Sequence, residues 1–114
     1  MKLIRLPQPR PLRPDERRAL TTLVEHSGQD RLRAQLASAR VIGKCDCGCS
    51  SVQLATDGPK LANTEESLSV NAVGGGADVV LHVIEGRLHE LECYTAEGVA
   101  VPLPPDLHDF WIGR

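Results

Sequence analysis

The sequence predicts an α+β domain in which two N-terminal helices pack on one face of a four- to five-stranded antiparallel meander. Between residues 14 and 40, apolar residues recur about every four positions, as in amphipathic helices. After residue 40 they alternate with polar residues, the pattern of half-buried strands. The dipeptide Glu85-Gly86 separates two such strands and predicts a tight hairpin.

Length and composition fit a single core. A chain of 114 residues has the commonest size of one domain. Its 41% hydrophobic and 25% charged residues argue against a wholly disordered chain. The aromatic residues are only Tyr94, Phe110 and Trp111, so we expect an aliphatic core. We divide the chain into a Pro/Arg-rich leader, residues 1–13, and one α+β domain, residues 14–114.

The leader carries three prolines between residues 7 and 11, a density that favours an extended path over a helix. It either hangs free or straps across the domain. The apolar residues that precede the prolines, Leu3, Ile4 and Leu6, favour the strap.

Residues typical of helix starts and stops mark the ends of the two predicted helices. Pro14 suits the first position of a helix, and Gly28 suits its C-terminal stop. Asp30 is expected to cap a second, short helix. The apolar side of that helix is expected to contain Leu32 and Leu36.

The predicted strands begin near Val41, Val52, Leu68, Val79 and Arg87. In the last hairpin, strict pairing around Glu85-Gly86 would place His82 opposite His89. Strict alternation would, however, put Leu88 and Leu91 on opposite faces of the strand, because they are three residues apart. A β-bulge near residues 89–90 would solve this.

The segment from Cys45 to Cys49 places three thiols at alternate positions, Cys45, Cys47 and Cys49. They line one face of a strand, or converge if Gly48 turns the chain. Thiolates are soft ligands for zinc or copper(I), and Cys93 is available as a fourth ligand. Structural zinc sites usually use C-x₂₋₄-C pairs, and this spacing is C-x-C. Buried unreactive thiols and a redox role are the alternatives.

Charge divides the chain into two unlike parts. Residues 1–60 carry a net charge of +5, and residues 61–114 carry −7. Acidic residues gather around the last hairpin, which predicts either a solvated face or a surface that docks a basic partner. The docking residues would be the carboxylates and aromatics of this region: Glu90, Glu92, Glu97, Phe110 and Trp111. The basic leader lacks interleaved aromatics, so nucleic-acid binding is disfavoured.

Catalytic motifs are missing from the sequence: it contains no G-x-S-x-G, P-loop, dinucleotide fingerprint, H-E-x-x-H or C-x-x-C. We therefore expect no enzyme activity. The start of the chain lacks an apolar signal segment, and no run of 18 apolar residues occurs, so we expect a cytoplasmic protein.

Two segments resemble small uncharacterised proteins of high-GC bacteria: residues 41–50, VIGKCDCGCS, and the hairpin LHV…GRLHELECY of residues 81–94. The G-x-L-x-x-L-E part of this hairpin is also similar to immunity-like proteins of bacterial toxin systems. The resemblance implies a fold more than a function. Together these observations predict a non-catalytic protein-binding module, in one form an inhibitor or toxin-immunity protein. The alternative is a small zinc- or copper-thiolate protein.

Overall fold

A computed structural model describes residues 3–62, 67–74, 76–95, 97 and 100–113. Its helices are α1 (Pro14–Ser27) and α2 (Asp30–Gln35), the second followed by a 3₁₀ turn at Leu36–Ser38. Its strands are β1 (Leu3–Pro11), β2 (Arg40–Cys45), β3 (Val52–Ala55), β4 (Leu68–Val73), β5 (Asp78–Ile84), β6 (Arg87–Tyr94) and β7 (Trp111–Gly113).

All seven strands form one antiparallel sheet in the order β1-β2-β3-β6-β5-β4-β7. The α+β class is therefore confirmed, but the prediction of four to five strands was wrong. The two additional strands are at the edges, β1 from the expected leader and β7 from the tail. The order also departs from a simple meander, because β3 pairs with β6 and not with β4.

The prolines of the leader are the reason that its sequence did not predict strand β1. Proline has no N–H to donate to a ladder, so it is tolerated at sheet edges and disfavoured inside sheets. The β1–β2 register shifts between Arg5 and Arg10, the stretch that contains Pro7 and Pro9. The leader thus belongs to the sheet as an edge strand.

Helix α1 has the expected boundaries. Pro14 is its first residue, and Gly28 ends it in the left-handed conformation with φ 69°. Asp30, the expected cap of α2, is instead its first residue, and Gln29 occupies the cap position. The described helices include none that is both long and apolar enough to cross a membrane.

The hairpin turn is confirmed. Glu85 and Gly86 both have positive φ, 53° and 77°, as a type I′ turn requires. A register shift follows the turn, so that His82 pairs with Glu90. The strict pairing of His82 with His89 is therefore wrong, and the bulge is real. The bulge places Leu88 and Leu91 of β6 on the same, buried face of the sheet.

The core is aliphatic, and both helices lie on the same face of the sheet. Leu20 and Leu23 of α1 and Leu32 of α2 belong to one buried cluster with Val70 and Leu81 of the sheet. We call the opposite side of the sheet the open face, because neither described helix packs on it.

A buried carboxylate joins β1 to α1. The side chain of Glu16 has 0% exposure. Both of its oxygens accept hydrogen bonds from the Arg10 guanidinium, at 2.8 and 2.9 Å, and one accepts the Arg13 backbone N–H at 2.8 Å. Burial by itself would raise the pKa of Glu16, but the hydrogen bonds from Arg10 and Arg13 and their positive charges lower it below the ordinary value.

A buried amide joins α2 to the hairpin. The Gln35 amide nitrogen donates to the carbonyls of Pro59 and Gly86, at 2.8 and 3.0 Å. Its oxygen accepts from the Thr56 hydroxyl and the Leu88 backbone N–H, each at 3.0 Å. Every hydrogen-bonding position of this amide is therefore used.

Candidate functional site

The three thiols at the end of β2 converge. A turn closed by the Gly48 N–H donating to the Cys45 carbonyl, at 3.3 Å, reverses the chain. Gly48 has φ 84°, a conformation that glycine adopts without strain. The sulfur atoms of Cys45, Cys47 and Cys49 all lie within 4.8 Å of one another.

The thiols differ in exposure and acidity. Cys45 is buried, Cys47 is exposed, and Cys49 is half-buried. The hydrogen bond between the Cys45 and Cys47 sulfurs, 3.0 Å apart, together with burial raises the pKa of Cys45 to about 12. Burial would raise the pKa of Cys49, but hydrogen bonds from Ser51, Cys47 and Cys45 outweigh it and lower that pKa.

Cys93 is not a member of this sulfur group. It lies on β6 opposite Val79 and belongs to the aliphatic core cluster. Its backbone N–H donates to the Ser51 hydroxyl at 2.9 Å. Burial raises the pKa of Cys93 to about 11, and nearby negative groups add to this effect. The structure thus brings together three of the four expected ligands.

A cleft of about 490 Å³ adjoins the thiols. Cys45 and Cys49 line it together with the cationic side chains of Arg10, Arg13 and Lys44. Glu16 lies behind the two arginines and forms ion pairs with both. The cleft beside the thiols is therefore lined by three cationic side chains and by one carboxylate, that of Asp46.

The open face carries the acidic residues of the hairpin. Pairing across three strands aligns Glu90 with His82 and His82 with Ser69. The His82 ring is held on both sides: its Nε2 lies 3.0 Å from a Glu92 oxygen and its Nδ1 lies 3.2 Å from the Ser69 hydroxyl. Partial burial raises the pKa of Glu90 above its ordinary value.

The same face also carries exposed aromatic and apolar residues. Trp111 of β7 pairs with Val73 of β4, and Tyr94 of β6 pairs with Asp78 of β5. Trp111 is 65% exposed, Val73 45% and Tyr94 44%. A Cβ at Gly113 would lie 2.5 Å from the indole of Trp111, so the ring lies directly over this glycine.

We call these residues the open-face patch, defined as Val73, Asp78, Glu90, Glu92, Tyr94 and Trp111. Two residues expected in a docking surface lie elsewhere. Phe110 is half-buried and packs against the core cluster, and Glu97 is exposed in the turn after β6. Sequence reasoning placed Asp78 among the acidic residues around the last hairpin without naming it as a docking residue, and it missed Tyr94 and Val73. Tyr94 could have been found, because Tyr94 and Glu92 are two positions apart on one strand and therefore share a face.

The chain matches no protein-family model, and no curated protein or solved structure shows significant similarity to it.

Proposed function

We propose that this protein is a non-catalytic binding module whose open-face patch docks a basic segment of another protein. The observation that carries the proposal is that exposed Trp111 and Tyr94 share one face of the sheet with three carboxylates, and that the described helices leave this face uncovered. A cytoplasmic location and reduced thiols are part of the same proposal.

The aromatic residues would supply most of the affinity. Tryptophan and tyrosine are enriched among the residues that dominate interface energetics, because each buries a large area at a small cost in side-chain entropy. The Trp111 ring is already supported by the backbone of Gly113. Its position therefore needs little rearrangement on binding, which favours affinity.

The carboxylates would select the partner. Asp78, Glu90 and Glu92 give the patch a negative charge, while His82 on the neighbouring strand pairs with Glu90 and contacts Glu92. Negative charge beside apolar anchors favours lysine- and arginine-rich segments and speeds their association at low salt. An inhibitor or toxin-immunity protein is the form of this function that the hairpin's resemblance suggests, with a basic toxin as its partner.

Comparative affinity capture tests the proposal. Tagged wild type, Trp111→Ala and a helix-side control, Glu25→Lys, serve as baits in lysate of the host, with mass spectrometry as the readout. Glu25 lies on α1, away from the open face, and is exposed. We expect basic proteins that wild type and the control retain and that Trp111→Ala loses. Equal retention by all three baits would contradict docking through this patch.

A further inference from the structure

We propose that Cys45, Cys47 and Cys49 form a three-thiolate binding site for a monovalent, thiophilic metal ion, copper(I). The site lies at the end of β2 and in the loop that leads to β3, and none of its ligands belongs to the open-face patch. This function is therefore separate from partner docking, and each of the two proposals can fail alone.

The geometry is close to that of a complex before any ion is added. Metal–sulfur bonds of about 2.3 Å place sulfurs about 3.8 Å apart in a tetrahedral site and about 4.0 Å apart in a planar three-coordinate site. The three sulfurs already lie within 4.8 Å of one another. The pair at 3.0 Å, Cys45 and Cys47, needs to open by about 1 Å, and Cys47 is the exposed member of the pair.

The number of ligands favours copper(I) over zinc. Structural zinc is almost always four-coordinate. Among the residues that the structure describes, no histidine, carboxylate or further cysteine joins the three sulfurs as a fourth member of their group. Copper(I) is a soft ion that thiolates select, and it accepts three of them without a fourth ligand.

The surroundings favour the charged form of the site. Binding replaces three thiol protons, which leave to solvent, with one copper(I) ion, so the complex carries a net charge of −2. Lys44, which lines the adjoining cleft, offsets part of this charge. Cys47 is exposed and Cys49 half-buried, which gives the ion a route in and out. An accessible site of this kind suits reversible binding of copper(I).

The test is an anaerobic titration of the reduced full-length chain with copper(I) supplied as its bicinchoninate complex. We expect one copper(I) per chain, with three sulfurs at about 2.3 Å by X-ray absorption. Mutating a residue that only hydrogen-bonds to a metal ligand typically lowers metal affinity about 10–100-fold. Loss of a ligand itself in Cys47→Ser should therefore weaken copper(I) binding at least about 100-fold. The exposed position of Cys47 makes this variant fold normally, which circular dichroism checks.

Cys93→Ala is the matched control, because it removes a thiol outside the sulfur group and keeps a small apolar side chain in the core. It should bind copper(I) as tightly as wild type. Binding below about 0.1 ion per chain would overturn the proposal. So would undiminished binding by Cys47→Ser, or copper(I) binding that is lost in Cys93→Ala.

Discussion

Replacing Gln35 with methionine should destabilise the fold strongly, because the Gln35 amide is buried and makes four hydrogen bonds. Methionine fills a similar volume, so the change removes hydrogen bonds and leaves little cavity. Four bonds to the Gln35 amide are lost, each worth about 0.5–1.5 kcal/mol. The buried Leu88 N–H loses this acceptor, whereas the Gly86 carbonyl still accepts a hydrogen bond from the Leu61 N–H at 3.1 Å. The Thr56 hydroxyl can rotate to another acceptor, and Pro59 is exposed. We therefore expect a loss of about 3 kcal/mol.

Urea unfolding followed by circular dichroism measures this loss directly. The matched control is Gln8→Met on the exposed part of β1, which should change the free energy of unfolding by less than about 0.5 kcal/mol. A Gln35→Met protein within about 1 kcal/mol of wild type would refute the reasoning, because the amide would then contribute no more than one ordinary hydrogen bond.

Three further predictions concern the turn, the buried carboxylate and the thiols. Gly86→Val should cost about 1–3 kcal/mol in thermal or urea unfolding, since a β-branched residue resists φ 77°; an unchanged melting temperature would contradict the type I′ turn. The pKa of Glu16 lies below its ordinary value of 4.5, so its stabilisation is complete above pH 4.5 and is lost as the pH falls through the folded-state pKa. Urea unfolding at pH 7 and pH 3 should therefore show a smaller acid loss for Glu16→Gln than for wild type, and equal losses would contradict this. Iodoacetamide labelling at pH 8, followed by mass spectrometry, should modify Cys49 well before Cys93, whose pKa is raised to about 11, and the reverse order would exclude the assigned burial.

Local signals in the sequence were sufficient for the helices and the last hairpin. Pro14 and Gly28 mark the two ends of α1, because each residue favours a helix end through its own backbone conformation, within one helical turn. The bulge in β6 followed from the odd spacing of Leu88 and Leu91, which one face must accommodate. In each of these cases the decisive interaction is between residues close in sequence.

The edges and order of the sheet could not be predicted in the same way. The prolines of β1 made this strand hard to recognise, because proline interrupts the alternation of apolar and polar residues that predicts a strand. Proline is tolerated here only because β1 is at the edge of the sheet. Strand β7 has three residues, too few to show alternation. The pairing of β3 with β6 is set by packing across the whole sheet, and no nearby residue encodes it.

The candidate sites show the same division. Convergence of the thiols depended on whether Gly48 turned the chain, and the sequence left both outcomes open. Glu16 and Gln35 have the pattern of solvent-facing helix residues, yet both are fully buried. Their burial depends on partners in β1 and in the hairpin, Arg10 and Leu88, that only the tertiary fold supplies.

The partial burial of Glu90 and Glu92 decides which substitution tests the role of their charge. Lysine substitutions would suit fully exposed carboxylates, but both residues are half-buried and Glu92 bonds to His82. Glutamine removes the charge while it keeps the shape and an acceptor oxygen. The double variant Glu90→Gln/Glu92→Gln therefore tests charge with less risk to folding.

The most direct test of the docking proposal is the association rate of the captured partner, measured against salt by stopped flow. Wild type should associate fastest at low salt and slow steeply as ionic strength rises, since exposed charges are screened. Glu90→Gln/Glu92→Gln should lose most of that salt dependence, Trp111→Ala should mainly speed dissociation, and Glu25→Lys should match wild type. A folded Glu90→Gln/Glu92→Gln protein that associates as fast as wild type at low salt would contradict docking through the open-face patch.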